Sequence, residues 1–444
     1  MILEKESVEL LKNALNKLES GFDLPSLNQS FDSDKMEGVL QEVAEKMQDN
    51  YPYFHPLFAG QMLKPPHPIA RAAYMLAMWI NPNNHAMDGS KASSPMEKEV
   101  VADLAKMFGL KQHLGHLTSG GTMANLEGLW VAGQIHPDKL ILASNQSHYT
   151  HERISGVLQL NFEKVKTDRF SRMDLTDLEE KLKKGNVGTV VCTMGTTGIG
   201  SVDPLDEILN LQKQYDFRIH ADAAYGGYFG LVDNLEPHTA EKYRLLDQVD
   251  SIVIDPHKHG LQPYGCGCIL FKDPSVAKYY LHDSPYTYYT SNELHLGEIS
   301  LECSRAGASA VGLWATHKML PPVKGGEFSK DLAKSRSAAL NLYQKLSESD
   351  SFFPIVKPEI DIVVWGMNGE NTQEMGEKAN ELFKKAEENK LYLSLYKYPT
   401  AMLENATFEI NSEYLTCLRS CLLKPEHDFW MDEIWKRLNE SLSK

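Results

Sequence analysis

Lys258 stands between two histidines in SIVIDPHKHG, directly after an apolar run that ends at Asp255 and Pro256. A lysine in that place has three chemical uses: an exposed loop charge, a phosphate ligand, or an amine that bonds covalently to a carbonyl. The last needs a partly deprotonated amine, which burial among apolar strand ends promotes. In RIHADAAYGG, Asp222 ends a second apolar run. A carboxylate there is costly to bury unless it meets an arginine, a metal or a protonated ring nitrogen. Ala223, Ala224, Gly226 and Gly227 beside it leave room for something flat. SHYTHERI places His148 after a third run, where an imidazole can stack on an aromatic ring and exchange protons near neutral pH. HLTSGGTMANLE sets glycines before a helix expected from about Thr122, and free N–H groups at such a turn favour an anion, with phosphate the natural occupant. The spacing is neither the dinucleotide fingerprint nor the P-loop, whose lysine is missing. Each feature has an ordinary alternative when taken alone: a loop charge, a packed ion pair, a structural histidine, a plain turn.

Something must hold these four features together. From Val100 to Lys272 short apolar runs alternate with longer amphipathic stretches, which predicts a mostly parallel, wound sheet. Such sheets bind ligands beyond the carboxyl ends of their strands, and those ends carry Gly120, His148, Thr197, Asp222 and Lys258. SSPMEKEVVADLAKMFG predicts a helix capped by Ser94, with Pro95 first in the helix and Glu97 completing a capping box, running to about Phe108 and stopping at Gly109. PPVKGG punctuates the chain at 321–326. Beyond it a long helix, FPIVKPEIDIVVWGM, LYLSLYKY and a terminal helix predict a smaller α+β domain. The first 60 residues or so read as a helical arm.

Taken in order, TSGGTMANLE, SHYTHERI, GTTGIGSVDPL, HADAAYGG and DPHKHG resemble the group II pyridoxal phosphate dependent amino acid decarboxylases. These include the glutamate, aromatic amino acid and archaeal tyrosine/aspartate enzymes, and the similarity spans about Tyr53 to Asp428. The resemblance implies an α/β protein of the type I, aspartate aminotransferase-like fold. Its parts would be a dimer-packing arm at 1–60, a large cofactor-binding domain at 61–325 and a small C-terminal domain at 326–444. It implies pyridoxal 5'-phosphate as cofactor, with Lys258 forming a Schiff base, Asp222 pairing with the pyridinium nitrogen and His148 stacking on the ring. Thr118, Ser119 and Gly120 would hold the phosphate, helped by His257; Thr197 would approach the ring hydroxyl or Asp222; Ala224 would pack on the opposite ring face. Tyr286, Tyr288 or Tyr289 would return a proton to Cα, Tyr288 and Tyr289 being the preferred pair. Gln61, Arg305 and Arg419 would contact substrate. Asp255 replaces an asparagine frequent in the aromatic and glutamate enzymes, and is expected to point away from the phosphate or cap the turn. LECSRAGAS around Arg305 is similar both to the archaeal branch and to the sphingosine phosphate lyases. The expected activity is α-decarboxylation of an acidic or aromatic L-amino acid; the alternatives are a carbon–carbon lyase using the same cofactor and a cofactor-binding protein without turnover. A homodimer with shared active sites is also implied.

Composition narrows the partners. With 45 basic and 60 acidic residues the chain carries a net charge of −15, which gives no general reason to bind nucleic acid or anionic lipid. No apolar run is long enough to span a membrane, and the N-terminal stretch mixes acids and lysines at helical spacing, so a cytoplasmic protein is expected. Six scattered cysteines are expected to be reduced, and no metal-ligand spacing is evident.

Overall fold

The computed structural model describes residues 5–25, 30–281, 296–403 and 406–442. Seven strands form the main sheet: β1 (Leu114–Thr118), β2 (Leu140–Ser144), β3 (Phe162–Val165), β4 (Val187–Thr193), β5 (Arg218–Asp222), β6 (Ser251–Ile254) and β7 (Gly267–Phe271). Their order is β1-β7-β6-β5-β4-β2-β3. β7 runs antiparallel between β1 and β6, while β6, β5, β4, β2 and β3 pair in parallel. The central strands are unbroken apolar runs, buried at every position of β4, β6 and β7, because helices cover both faces. β3, reading Phe-Glu-Lys-Val, is an edge strand whose charges hide it from a search for apolar runs.

A second, antiparallel sheet comprises β8 (Phe352–Pro354), β9 (Ile362–Met367), β10 (Ser394–Pro399) and β11 (Tyr414–Cys421), in the order β10-β11-β9-β8. Helices Glu327–Ser347, Thr372–Glu388 and His427–Leu442 set Leu342, Leu382 and Ile434 against Trp365 and Leu418 in one apolar cluster. Leu57 and Ala59 belong to the same cluster, and the Ala59 N–H and C=O bond to Tyr392 and Cys421. The chain just before residue 60 is therefore fastened to the C-terminal sheet. Among the described residues no helix is long and apolar enough to cross a membrane.

Two expectations need correction. The helix Ser93–Met107 begins without a side-chain cap: Ser94 Oγ lies 2.6 Å from Ser90 Oγ, and Glu97 is buried within the protein. Glu97 accepts bonds from Asn84 Nδ2 (2.6 Å), the Leu117 N–H (2.9 Å) and Arg305 Nη1 (2.6 Å). A buried carboxylate takes the strongest donor in reach, and here that is a guanidinium rather than its own helix end. Arg305, expected at the substrate, is consequently engaged behind β1, donating also to the carbonyls of Leu117 and Asn84. The helix does end as expected, with Gly109 at φ +79°.

Candidate active site

Beyond the carboxyl ends of β1, β4, β5 and β6 lies a cavity of about 290 Å³. Eight of the expected residues line it: Ser119, Gly120, His148, Thr197, Asp222, Ala224, His257 and Lys258. Parallel pairing brings them together, since Thr193 sits opposite Asp222, and Asp222 opposite Val253, in neighbouring strands.

Asp222 is 5% exposed. Its Oδ1 accepts the Ala224 N–H at 3.1 Å, while Oδ2 accepts His151 Nε2 at 2.8 Å and Asn125 Nδ2 at 3.4 Å. Behind Asn125, its Oδ1 meets His220 Nε2 at 2.8 Å, and His220 Nδ1 meets Ser251 Oγ at 2.8 Å. Burial pushes His220 down to about 3, so its ring is neutral. It then donates from Nε2 to Asn125 and accepts the Ser251 hydroxyl at Nδ1, which turns the Asn125 amide donor toward Asp222. Burial alone would raise the Asp222 carboxyl; the His151 hydrogen bond and charge, Lys258 and the Ala224 N–H outweigh it and hold the group well below the usual carboxylate range. Asp222 is thus a fixed negative charge with one oxygen gripped by two side chains from behind.

Lys258 Nζ lies 3.1 Å from Asp255 Oδ2. Asp255 does not point away from the phosphate turn, as expected, but beneath it: a Cβ placed on Gly121 would stand 2.6 Å from Asp255 Oδ2. Asp255 is buried, and Lys258 supplies the positive partner that burial demands, with the His257 ring at 3.5 Å beside it. His257 donates Nδ1–H to the Cys266 carbonyl at 2.9 Å, so its Nε2 can serve a phosphate only after a second protonation. Burial lowers the pKa of both His257 and His148. His148 is oriented by Thr150 Oγ1, 2.8 Å from Nδ1.

Ser119 and Gly120 open the helix Gly121–Ile135, whose N-terminus has no side-chain cap. The Ser119 N–H already donates to a carboxylate oxygen, Glu302 Oε2, at 2.9 Å. Gly120 packs so closely on β7 that a Cβ on Gly267 would lie 2.6 Å from the Gly120 carbonyl carbon. Thr118 stands just behind this turn, its hydroxyl donating to the Gly120 carbonyl at 3.1 Å.

The remaining expected residues lie elsewhere. Arg419, on β11, donates to the carbonyls of Gly198 (3.0 Å) and Thr197 (2.7 Å) at the cavity margin. Gln61 is exposed and lines a separate cleft with Tyr51, Tyr53 and Tyr392. Tyr286, Tyr288 and Tyr289 lie outside the described residues. Sequence reasoning overlooked His151, Asn125 and Thr193. The signal for His151 was present, three residues after His148 in the first turn of the helix Thr150–Val157.

Residues 24–368 match the pyridoxal-dependent decarboxylase conserved domain. The chain belongs to the pyridoxal-dependent decarboxylase family. Curated relatives of this decarboxylase include an L-tyrosine decarboxylase of Enterococcus faecium, 26% identical, with 86% of this chain and 80% of the relative aligned. A probable L-tyrosine/L-aspartate decarboxylase of Methanothermobacter thermautotrophicus is 29% identical, over 73% of this chain and 86% of the relative. Oryza sativa TDC, solved with PLP and tryptamine, shares the fold with a TM-score of 0.78 at 17% identity, covering 99% and 96% of the two chains. Membership brings pyridoxal 5'-phosphate as the cofactor and decarboxylation of an amino acid as the reaction class. The decarboxylase's cavity fits that cofactor by its donor set. An uncapped helix start and the Ser119 N–H suit an anion, Asp222 presents Oδ1 with one N–H bound, and Thr193 Oγ1 is a buried hydroxyl without a hydrogen-bond partner on the cavity wall.

Proposed function

We propose that the enzyme decarboxylates an aromatic or acidic L-amino acid, tyrosine and aspartate foremost, with Lys258, Asp222 and His148 as its central residues. The observation that carries this reading is the convergence of an amine, a fixed carboxylate and an oriented imidazole on one cavity closed by a helix start. When bound, the cofactor supplies an aldehyde for amine exchange and a ring that accepts the electron pair released as the Cα–carboxylate bond breaks. The protein does the rest. Lys258 Nζ is the amine offered to the aldehyde, and Asp255 at 3.1 Å positions it. Asp222 holds a proton at the ring nitrogen, because a carboxylate held below its usual range stays charged at every working pH. His148 and Ala224 would flank the cofactor ring, and Ser119 and Gly120 would take its phosphate. Arg419 fixes the Thr197–Gly198 margin of the cavity.

The named substrates of the curated relatives, tyrosine and aspartate, support the substrate class. Incubating the holoenzyme with a panel of L-amino acids should release carbon dioxide fastest from L-tyrosine or L-aspartate. Release from none of them, with aldehyde formed from a phosphorylated amino alcohol, would replace decarboxylation by carbon–carbon cleavage.

A homodimer and the three-part division at about 60 and 325 belong to the same reading. Helix Ser33–Met47 buries no residue, and Met36, Val39, Leu40, Val43 and Met47, at helical spacing along it, are 50–62% exposed. Such a stripe needs cover, and a second copy of the arm supplies it. Light scattering should give twice the mass of the 50.0 kDa chain, and Val43→Glu should halve it; a monomeric parent protein would remove the dimer from the proposal. A cytoplasmic location accords with six unpaired cysteines, five of them buried.

A further inference from the structure

A cleft of about 500 Å³ shares none of its lining residues with the cofactor cavity. Its walls are the start of helix Pro68–Met78, the helix Glu327–Ser347, the segment Leu423–Phe429, and His259 and Leu261 just after Lys258. We propose that this cleft binds an organic carboxylate with an apolar body.

The cationic end comes from Lys64, Arg71 and Lys424, none of which has a carboxylate within ion-pair distance among the described residues. Lys64 Nζ reaches only the Leu423 carbonyl, at a long 3.4 Å. Lys424 is 4% exposed and donates to the Phe58 carbonyl at 2.7 Å. Arg71 Nε is buried without a hydrogen-bond partner among the described residues. Lys334, also on the wall, is already neutralised by Asp331 at 2.6 Å. The acids that face these three groups are Glu426, Asp361 and the Lys334-paired Asp331, none within ion-pair distance of them among the described residues, in a chain whose net charge is −15. Burying positive charge without a counterion is costly, and an anion seated between these groups removes the cost. The titration shifts agree: burial pushes Lys64 down to about 8, and burial with the Lys64 charge beside it pushes Lys424 down to about 7.

The cleft is also lined by apolar side chains, Leu320, Phe328 and Leu332 among them. These groups offer nothing to inorganic phosphate but receive an aryl or alkyl body, which selects a carboxylate that carries one. His259, 1% exposed, adds a ring neither of whose nitrogens has a hydrogen-bond partner among the described residues. Its Nε2 lies 3.3 Å from Asp361 Oδ2, Asp361 Oδ1 accepts the Tyr225 hydroxyl at 2.8 Å, and Tyr225 lines the cofactor cavity. Besides the peptide bond to Lys258, a side-chain path through Asp361 and Tyr225 thus links His259 to the cofactor cavity.

Calorimetric titration of the holoenzyme with phenylacetate tests the proposal, with inorganic phosphate as the comparison. Phenylacetate should bind saturably at one site, phosphate about tenfold more weakly or not at all, and Lys64→Met and Arg71→Met should each weaken phenylacetate about tenfold. Glu426→Gln, a surface change that leaves the fold intact, should tighten it about threefold by removing one facing acid. Phosphate binding as tightly as phenylacetate, absence of phenylacetate binding, or affinities unmoved by all three substitutions would overturn it; the last would place phenylacetate in the cofactor cavity.

Discussion

Lys258→Ala should leave a folded protein with no turnover above about one part in 10⁴ of the parent rate, in line with removal of a covalent catalytic group elsewhere. The parent protein should show the visible yellow of lysine-bound cofactor, and borohydride should fix the cofactor on Lys258. The variant should lose both signals while its circular dichroism is unchanged, because Lys258 is a turn residue whose side chain makes one ion pair, with Asp255. Persistence of a borohydride-reducible bond through another lysine would displace Lys258 from its role. The structure also makes the variant informative about Asp255. Without the lysine, the buried Asp255 carboxylate keeps only His257 at 3.5 Å, so cofactor phosphate should bind less tightly than loss of the covalent bond alone explains.

Asp222→Asn should lower kcat by about 10² to 10³, equivalent to ~3 to 4 kcal/mol for one electrostatic contact to developing charge. The amide keeps the shape but cannot hold a proton at the ring nitrogen, and its own N–H would meet either the His151 donor or the cofactor. A variant within about threefold of the parent would refute the assignment. The pH dependence has a definite sign. Because the folded carboxyl is depressed, the stabilisation that His151, Lys258 and Ala224 give is complete above the unfolded value near 4 and is lost only as pH falls through the lower folded value. An acid limb in the activity profile above about pH 5 must accordingly belong to another group.

What was legible in the sequence was the chemistry that sits at strand ends. Lys258, Asp222 and His148 each follow an apolar run, and the parallel sheet converts that shared position into proximity. The pairings that cross the chain were not legible. Glu97 has the spacing of a helix cap, yet its partner Arg305 stands 208 residues away, and nothing local announces that the two will be buried together. Asp255 was expected to avoid an anion site, because the energetic demand of a buried carboxylate between Lys258 and His257 appears only once the turn is folded. His151 was passed over beside the more prominent His148, although helix geometry brings it onto Asp222. β3 was hidden by the charges of an edge strand.

The placement of β7 has a consequence for the order of events during synthesis. Among the described residues β1 has no strand neighbour except β7, and Gly120, just after β1, is braced by Gly267, the first residue of β7. The chain must therefore grow by about 150 residues after the phosphate turn emerges before that turn can be clamped, roughly ten to thirty seconds at ordinary translation rates. Lys258 is made nine residues before Gly267. Amine and phosphate seat thus become available almost together, so a nascent chain is not presented to the reactive aldehyde with its lysine long exposed and its phosphate seat still unformed.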